Sequence, residues 1–274
     1  MKKTKLTLLS LLMLGTITLS SCYVNLGFIE IGEKEENGSG GASSAEVNKY
    51  YSSITNQSGS ALLSALNKII DNDSVVVSYD WSRYKYVDQA PDDATSVFLV
   101  YARKNMKKSE QDRGVEDAVC WNREHTYPQS KMSGNATSDT HIIFASDKKV
   151  NGTRSSLKFG VVSGGSTVND SAGNATSCKV GGSLFDPNSP ARGVVARSTM
   201  YAAVMYGYSP EGNFESLATM LKWNKDYPVS SFDKSRNEKV YEKQKNRNPF
   251  VDHPEYACKI WGSTNSQTKS ICGL

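Results

Sequence analysis

Helical and strand periodicities alternate along one chain, so the sequence predicts a single domain of mixed helix and strand, α+β in class. Three observations carry this expectation. Leu62, Leu63, Leu66, Ile69 and Ile70 recur at helical spacing between Gly59 and Asn72. Short apolar runs of strand length stand at Val75-Val76-Val77 and at residues 97–101. Residues 151–188 are rich in Gly, Ser, Thr and Asn, with turns at Gly164-Gly165 and Gly181-Gly182, the pattern of short strands joined by loops. Removal of a 21-residue leader from 274 residues leaves 253, enough for one large core. A chain that is 38% hydrophobic and 22% charged, with 14 Tyr and 4 Trp, is neither disordered nor collagenous nor a multi-span membrane protein.

At the N-terminus, Lys2, Lys3 and Lys5 precede an apolar run from Leu6 to Leu19. That run is too short to span a bilayer of roughly 30 Å comfortably and reads as an export signal over residues 1–21. The Leu19-Ser20-Ser21-Cys22 end resembles a bacterial lipobox, which implies cleavage before Cys22 and lipidation of its thiol. The domain would then be held at the cell surface, on the outer or the cell membrane, or facing the periplasm, touching lipid only through that anchor. Residues 22–45 pass through acidic Glu33–Glu36 into a Gly/Ser stretch that cannot bury enough apolar area to order itself, so they are expected to be a tether. The folded domain is expected over 46–274.

Inside it, the helix over 59–72 feeds a short buried strand at 75–77, and a second strand is expected at 97–101. Arg103, Lys104, Lys107 and Lys108 follow in a cationic loop, more simply a solvated face than a phosphate grip. His141-Ile142-Ile143-Phe144 reads as a strand, and Asp147 as the cap of a helix carrying Val150, Asn151 and Arg154. Strand, strand, helix is thus expected across 120–156. Further helices are expected at 191–206, at 215–223 and at about 234–246.

Loss of the three leader lysines leaves 29 basic against 28 acidic residues, so bulk charge selects no partner. Four cysteines remain after Cys22: Cys120, Cys178, Cys258 and Cys272. An even count in an exported chain suggests two disulfides, with three pairings open. The closeness of Cys258 to Cys272 favours that bridge, which leaves Cys120 with Cys178. The three histidines are His125, His141 and His253, and His125, directly after Glu124, is the best candidate base, because an imidazole titrating near ~6.5 can take a proton from water at neutral pH. An acid, an imidazole and an amide oxygen gathered by the 120–156 unit would suit one hard cation such as magnesium.

The run Trp121-Asn122-Arg123-Glu124-His125-Thr126-Tyr127-Pro128-Gln129-Ser130 closely resembles the NREHxxPxS signature of the bacterial endonuclease I family. Matches continue in order through Asp139-Thr140-His141, Asp147 with Val150-Asn151-Gly152-Thr153-Arg154-Ser155, Arg192-Gly193 with Ala196-Arg197, Leu221-Lys222-Trp223, and Asn246 to Tyr256. The resemblance spans roughly residues 60–261. It implies a nonspecific endonuclease with a ββα-metal, or His-Me finger, site, monomeric, gripping DNA and RNA through the phosphate backbone and leaving 5′-phosphate products. It further implies His125 as general base, Glu124 and Asn151 as ligands of Mg2+, with Mn2+ or Ca2+ as substitutes, and Arg197 as the residue steadying the scissile phosphate. Arg123, Arg154, Asp139 and His141 fall in support or substrate-positioning places, and His253 in a structural one. Departures from the family pattern are Val194 in place of an aspartate, Ser156 in place of an asparagine, and Leu99 where relatives often carry an acid. They bear on the surroundings of the site, and they motivate the alternative of a weak or inactive nucleic-acid-binding lipoprotein of the same fold.

Overall fold

The computed structural model describes residues 43–72 and 74–274. The export signal, Cys22 and the tether up to residue 42 lie outside the described residues. The first helix, α1 (Ser44–Tyr50), begins just ahead of the expected boundary at 46, because Ser43 and Glu46 form a reciprocal cap. α2 (Gly59–Asn72) buries Leu62, Leu66 and Ile70 along one stripe, as its spacing predicts.

Val75-Val76-Val77 is not a strand. The segment is extended, but Val75 and Val76 are exposed and only Val77 reaches the core. Its one ladder-like bond, from Val75 N to Gln244 O at 2.8 Å, meets a helix end instead of a strand. α3 (Trp81–Val87) follows. The next apolar run gives only β1 (Ser96–Phe98), paired with β2 (Asn105–Lys107). Leu99, Val100 and Tyr101 are buried yet turn away from the ladder. The cationic loop is therefore part of a hairpin: Lys104 pairs with Asp170, Lys107 with Asp93 at 2.7 Å, and Arg103 covers the Phe98 ring.

β3 (Trp121–His125) and β4 (Ile143–Asp147) pair antiparallel, and α4 (Lys148–Arg154) follows without a gap. The expected strand at His141 starts two residues later, since His141 and Ile142 lie in a turn. A four-stranded sheet in the order β5 (Lys158–Phe159), β8 (Leu184–Asp186), β7 (Ala175–Gly181), β6 (Ser166–Asn169) accounts for the Gly/Ser-rich stretch. α5 (Ser189–Tyr206) runs through the main core, buried from Ala191 to Val204 apart from Arg192. α2, α6 (Leu217–Asp226) and α8 (Pro249–Asp252) pack around it. α7 (Ser231–Gln244) is tied to the β3–β4 hairpin by Arg236, which pairs with Asp88 at 2.6 Å and donates to the Thr140 and Ile143 carbonyls. α9 (Tyr256–Trp261) and α10 (Ser266–Cys272) close the chain. Among the described residues no helix is long and apolar enough to cross a membrane.

The cysteine expectation is half corrected. Cys258 and Cys272 are bonded, and closing a loop of this length stabilises by about 3 kcal/mol. Cys120 and Cys178 are free, buried thiols. Cys178 points inward from β7 with its Sγ 3.4 Å from the Tyr101 carbonyl, whereas Cys120 immediately precedes β3, where its carbonyl accepts from the Lys148 amide at 3.0 Å beside the Trp121–Asp147 pair. Each is embedded in a different part of the molecule, so even cysteine number did not translate into two bridges.

Candidate active site

Side chains alternate across a strand, so β3 presents Arg123 and His125 on one face and Asn122 and Glu124 on the other. α4 lies on the second face. Its direction is set by Asp147, whose side chain accepts from the Lys149 and Val150 amides at 3.0 and 3.2 Å and so caps the helix. One turn further, Asn151 Nδ2 donates to Asn122 Oδ1 at 2.8 Å. That bond turns the other amide atom, Oδ1, away from Asn122. At the helix end Arg154, buried completely, donates to Glu124 Oε1 at 2.9 Å, to the His125 and Thr126 carbonyls at 2.7 and 2.8 Å, and to Asn213 Oδ1 at 2.8 Å. Ser155 then leaves the helix with φ of 48°, a left-handed conformation rare outside glycine.

Arg123, Glu124, His125, Asn151, Ser155 and Ser156, with the turn at 128–130, line one cavity of about 310 Å³. Glu124 is 3% exposed. Tyr101 also donates to Oε1, so both side-chain bonds that Glu124 accepts among the described residues end on that oxygen, which leaves Oε2 for the cavity. Burial pushes its carboxyl above the ordinary value, while Arg154 and the Tyr101 hydroxyl pull it down. The His125 imidazole is pushed below its ordinary value by burial, against an upward pull from the Thr137 carbonyl. Its Nε2 lies 3.0 Å from that carbonyl. A carbonyl only accepts, so Nε2 carries the hydrogen and Nδ1 keeps its lone pair. A neutral imidazole with a fixed tautomer is a base prepared for one direction of proton transfer.

The remaining sequence-identified residues do not line this cavity. Arg197 is buried in α5, with Nη1 on the Tyr227 carbonyl at 2.9 Å and Nη2 on Asp233 at 3.2 Å. With Val194, His141 and Arg236 it borders a separate void of about 20 Å³, room for about one water. Asp139 accepts from Tyr201, Tyr206 and Gln244 side chains at 2.6 to 2.8 Å, and His141 Nε2 meets the Asn246 carbonyl at 3.1 Å. These two residues pin the segment after the short turn at Gly134–Ser138 to α5 and to the C-terminal stretch, and that turn carries the Thr137 carbonyl. Their place relative to His125 is thus one step removed. His253 contacts Glu255 and stacks on Tyr256, away from the cavity. Of the three family departures, Ser156 lines the cavity, whereas Val194 and Leu99 are buried elsewhere. Thr137, Tyr101, Asn122 and Asn213 were missed in the sequence, because a backbone carbonyl and polar groups distant along the chain leave no local pattern; only Asn122, two residues before Glu124 on a strand, carried a signal.

The isolation of His141 has a consequence for acid stability. Burial pushes its imidazole down to about 4, with Asp139 pulling the other way. The unfolded chain takes up a proton on this ring below about pH 6.5 whereas the native state resists until about pH 4, so stability is lost as pH drops through that window and is independent of this group above it. The full contribution is about 3 kcal/mol. Urea unfolding at pH 7 and pH 4.5 should show a smaller acid loss for His141→Gln than for the parent protein. Equal losses in the two would assign the acid sensitivity to other groups.

β3, β4 and α4 form a ββα unit that brings a histidine, a carboxylate and an amide side chain to one cavity, and similarity to known proteins makes the protein a nuclease, of the hydrolase class. Residues 58–255 match the family model described as Endonuclease I, and the chain belongs to the endonuclease I family. It is 36% identical over 239 residues to an extracellular ribonuclease of Bacillus amyloliquefaciens, covering 80% of each chain. It is 33% identical to an extracellular ribonuclease of Bacillus subtilis (strain 168), over 79% of this chain and 80% of that protein. A periplasmic deoxyribonuclease of Aeromonas hydrophila is 28% identical over 131 residues, 45% of this chain and 49% of that protein.

Proposed function

We propose that this protein is an exported, magnesium-dependent endonuclease that cuts DNA and RNA without sequence preference and leaves 5′-phosphate ends, as a monomer held at the cell surface by lipid on Cys22. The observation that carries the reading is the convergence of His125, Glu124 and Asn151 on one cavity, with the imidazole tautomer set by Thr137. The names of the relatives, ribonucleases and a deoxyribonuclease, extracellular and periplasmic, support both the breadth of substrate and export.

Among the described residues no three His, Cys, Asp or Glu side chains gather at one point. A cation here would therefore rest on Glu124 Oε2 and Asn151 Oδ1, with water and phosphate oxygens completing its shell. Two hard oxygens from the protein and the rest from water and substrate is the donor set that suits magnesium, which dehydrates reluctantly. When bound, the ion supplies charge relief on the phosphate and the leaving oxygen. His125 Nδ1 takes the proton of the attacking water. Arg154 holds the Glu124 carboxylate in place and favours its ionised form against burial. Arg123, on the cavity wall, adds a cation near the phosphate path, and contacts of this kind read the backbone and not the bases. Arg197 is proposed to act on that path only through the packing of α5, not by touching substrate.

The test uses the soluble domain, residues 43–274, with supercoiled plasmid and with RNA. Degradation of both in magnesium, its arrest in excess EDTA, and 5′-phosphate ends on the fragments are the expected results. Undiminished degradation in EDTA would remove the metal from this reading.

A further inference from the structure

The exposed side of the β3 face that carries His125 holds an aromatic ring that hydrolysis by itself does not require. Tyr79, in the extended segment before α3, lies over the Arg123 guanidinium, whose central carbon is 3.5 Å from the ring centroid. The same guanidinium sits 4.1 Å from the Trp81 ring and donates to the Tyr79 carbonyl at 3.0 Å, so it is clamped between the two aromatics. The Tyr79 ring is also 5.5 Å from the His125 ring, tilted by 32°. Arg123 and His125 alternate on one strand face, so the tyrosine covers both with one side of its ring. It nevertheless remains 40% exposed.

The geometry beside the base leaves one face of this ring, held in place by Arg123, open to whatever enters the cavity. Its neighbours say what fits: Arg123, on the cavity wall, offers a cation to a phosphate, and the Tyr79 ring offers a flat π-surface directly beside that cation. We propose that Tyr79 is the stacking platform for an unpaired base next to the scissile phosphate, and that the site consequently favours single-stranded nucleic acid over duplex. Stacking on an aromatic ring is open to every base because every base has a π-face, so the platform adds affinity without sequence preference. In a duplex those faces are occupied by neighbouring base pairs, and freeing one costs unstacking energy. The inference rests on the nuclease reading of the same cavity.

The experiment compares kcat/KM on one sequence offered as single-stranded DNA, single-stranded RNA and DNA duplex. For Tyr79→Ala the ratio of single-strand to duplex kcat/KM should fall by about 5- to 150-fold, the range for loss of one stacked base, and should fall through KM. Tyr79→Trp and Tyr79→Phe, which keep the ring, should restore it. A single abasic position walked along the oligonucleotide should weaken cleavage by the parent protein at one register and cause no further loss in Tyr79→Ala. An equal fall on both strand forms, carried by kcat, would make Tyr79 a prop for His125 and overturn the proposal, as would an unchanged ratio. Binding of the single strand to His125→Ala, with and without Tyr79→Ala, is measured in parallel. Tyr79-dependent binding by a protein whose parent cuts nothing would overturn the nuclease reading and leave the stacking platform standing.

Discussion

His125→Ala is expected to lower kcat on plasmid DNA by at least about 10²-fold, the minimum for losing a positioned general base. The loss should fall on kcat with little change in KM, because the imidazole touches the attacking water and not the parts of the substrate that supply ground-state affinity. Far-UV circular dichroism should be unchanged, since the ring makes one hydrogen bond, to Thr137, at the rim of a cavity. The parent protein should be fully active at pH 7 and lose rate on the acid side at a lower pH than a free histidine would impose. The sign follows from burial: it lowers the pKa of the imidazole, so the neutral, proton-accepting form persists to lower pH than in a free histidine. Unchanged turnover in a folded His125→Ala protein would require a base elsewhere in the cavity.

The second large effect is expected on stability. Arg154→Ala removes a guanidinium that satisfies a carboxylate, two backbone carbonyls and the Asn213 amide in the interior. Leaving a buried charge without its partner costs about 3–5 kcal/mol, a large part of what holds a domain of this size. The measurement is urea unfolding at pH 7. Arg154→Lys should recover only a part, since an ammonium cannot reproduce a planar fork that reaches four acceptors. Glu124→Gln introduced into Arg154→Ala should regain stability, because the orphaned charge is then gone, while activity stays lost. A cost near zero for Arg154→Ala would mean that water reaches Glu124 freely.

Much of the site was legible before any fold was known, and the reason is geometric. Glu124 and His125 are adjacent, and Asn151 and Arg154 lie one helical turn apart behind a capping aspartate; local periodicity alone places such neighbours on defined faces. The same reasoning failed where a run of apolar residues had no partner to pair with. Val75-Val76-Val77 has the composition of a buried strand, yet a strand exists only if another backbone offers its ladder, and here α7 stands in that position. Leu99-Val100-Tyr101 shows the converse: the residues are buried as their character requires, but they turn so that Tyr101 can reach Glu124. Cysteine parity misled for a related reason, because a bridge depends on where two side chains end, not on how many thiols there are.

The sequence by itself determined the mixed α+β class, the ββα order across 120–156, the capped helix behind Asp147, and the family. Those features arise from short-range periodicity and from motifs contiguous in the chain. Only the tertiary structure decided which tautomer His125 holds, since Thr137 reaches it through a carbonyl that every residue possesses. It decided that Arg154 braces Glu124 while Arg197 lies packed against Asp233, because two arginines of equal chemistry differ only in what surrounds them. It also decided that Tyr79, 46 residues before His125 in the chain, stands over the base. Long-range contacts are set by how helices and strands fill a common core, and that information is spread over the whole chain, not written at the residues it brings together.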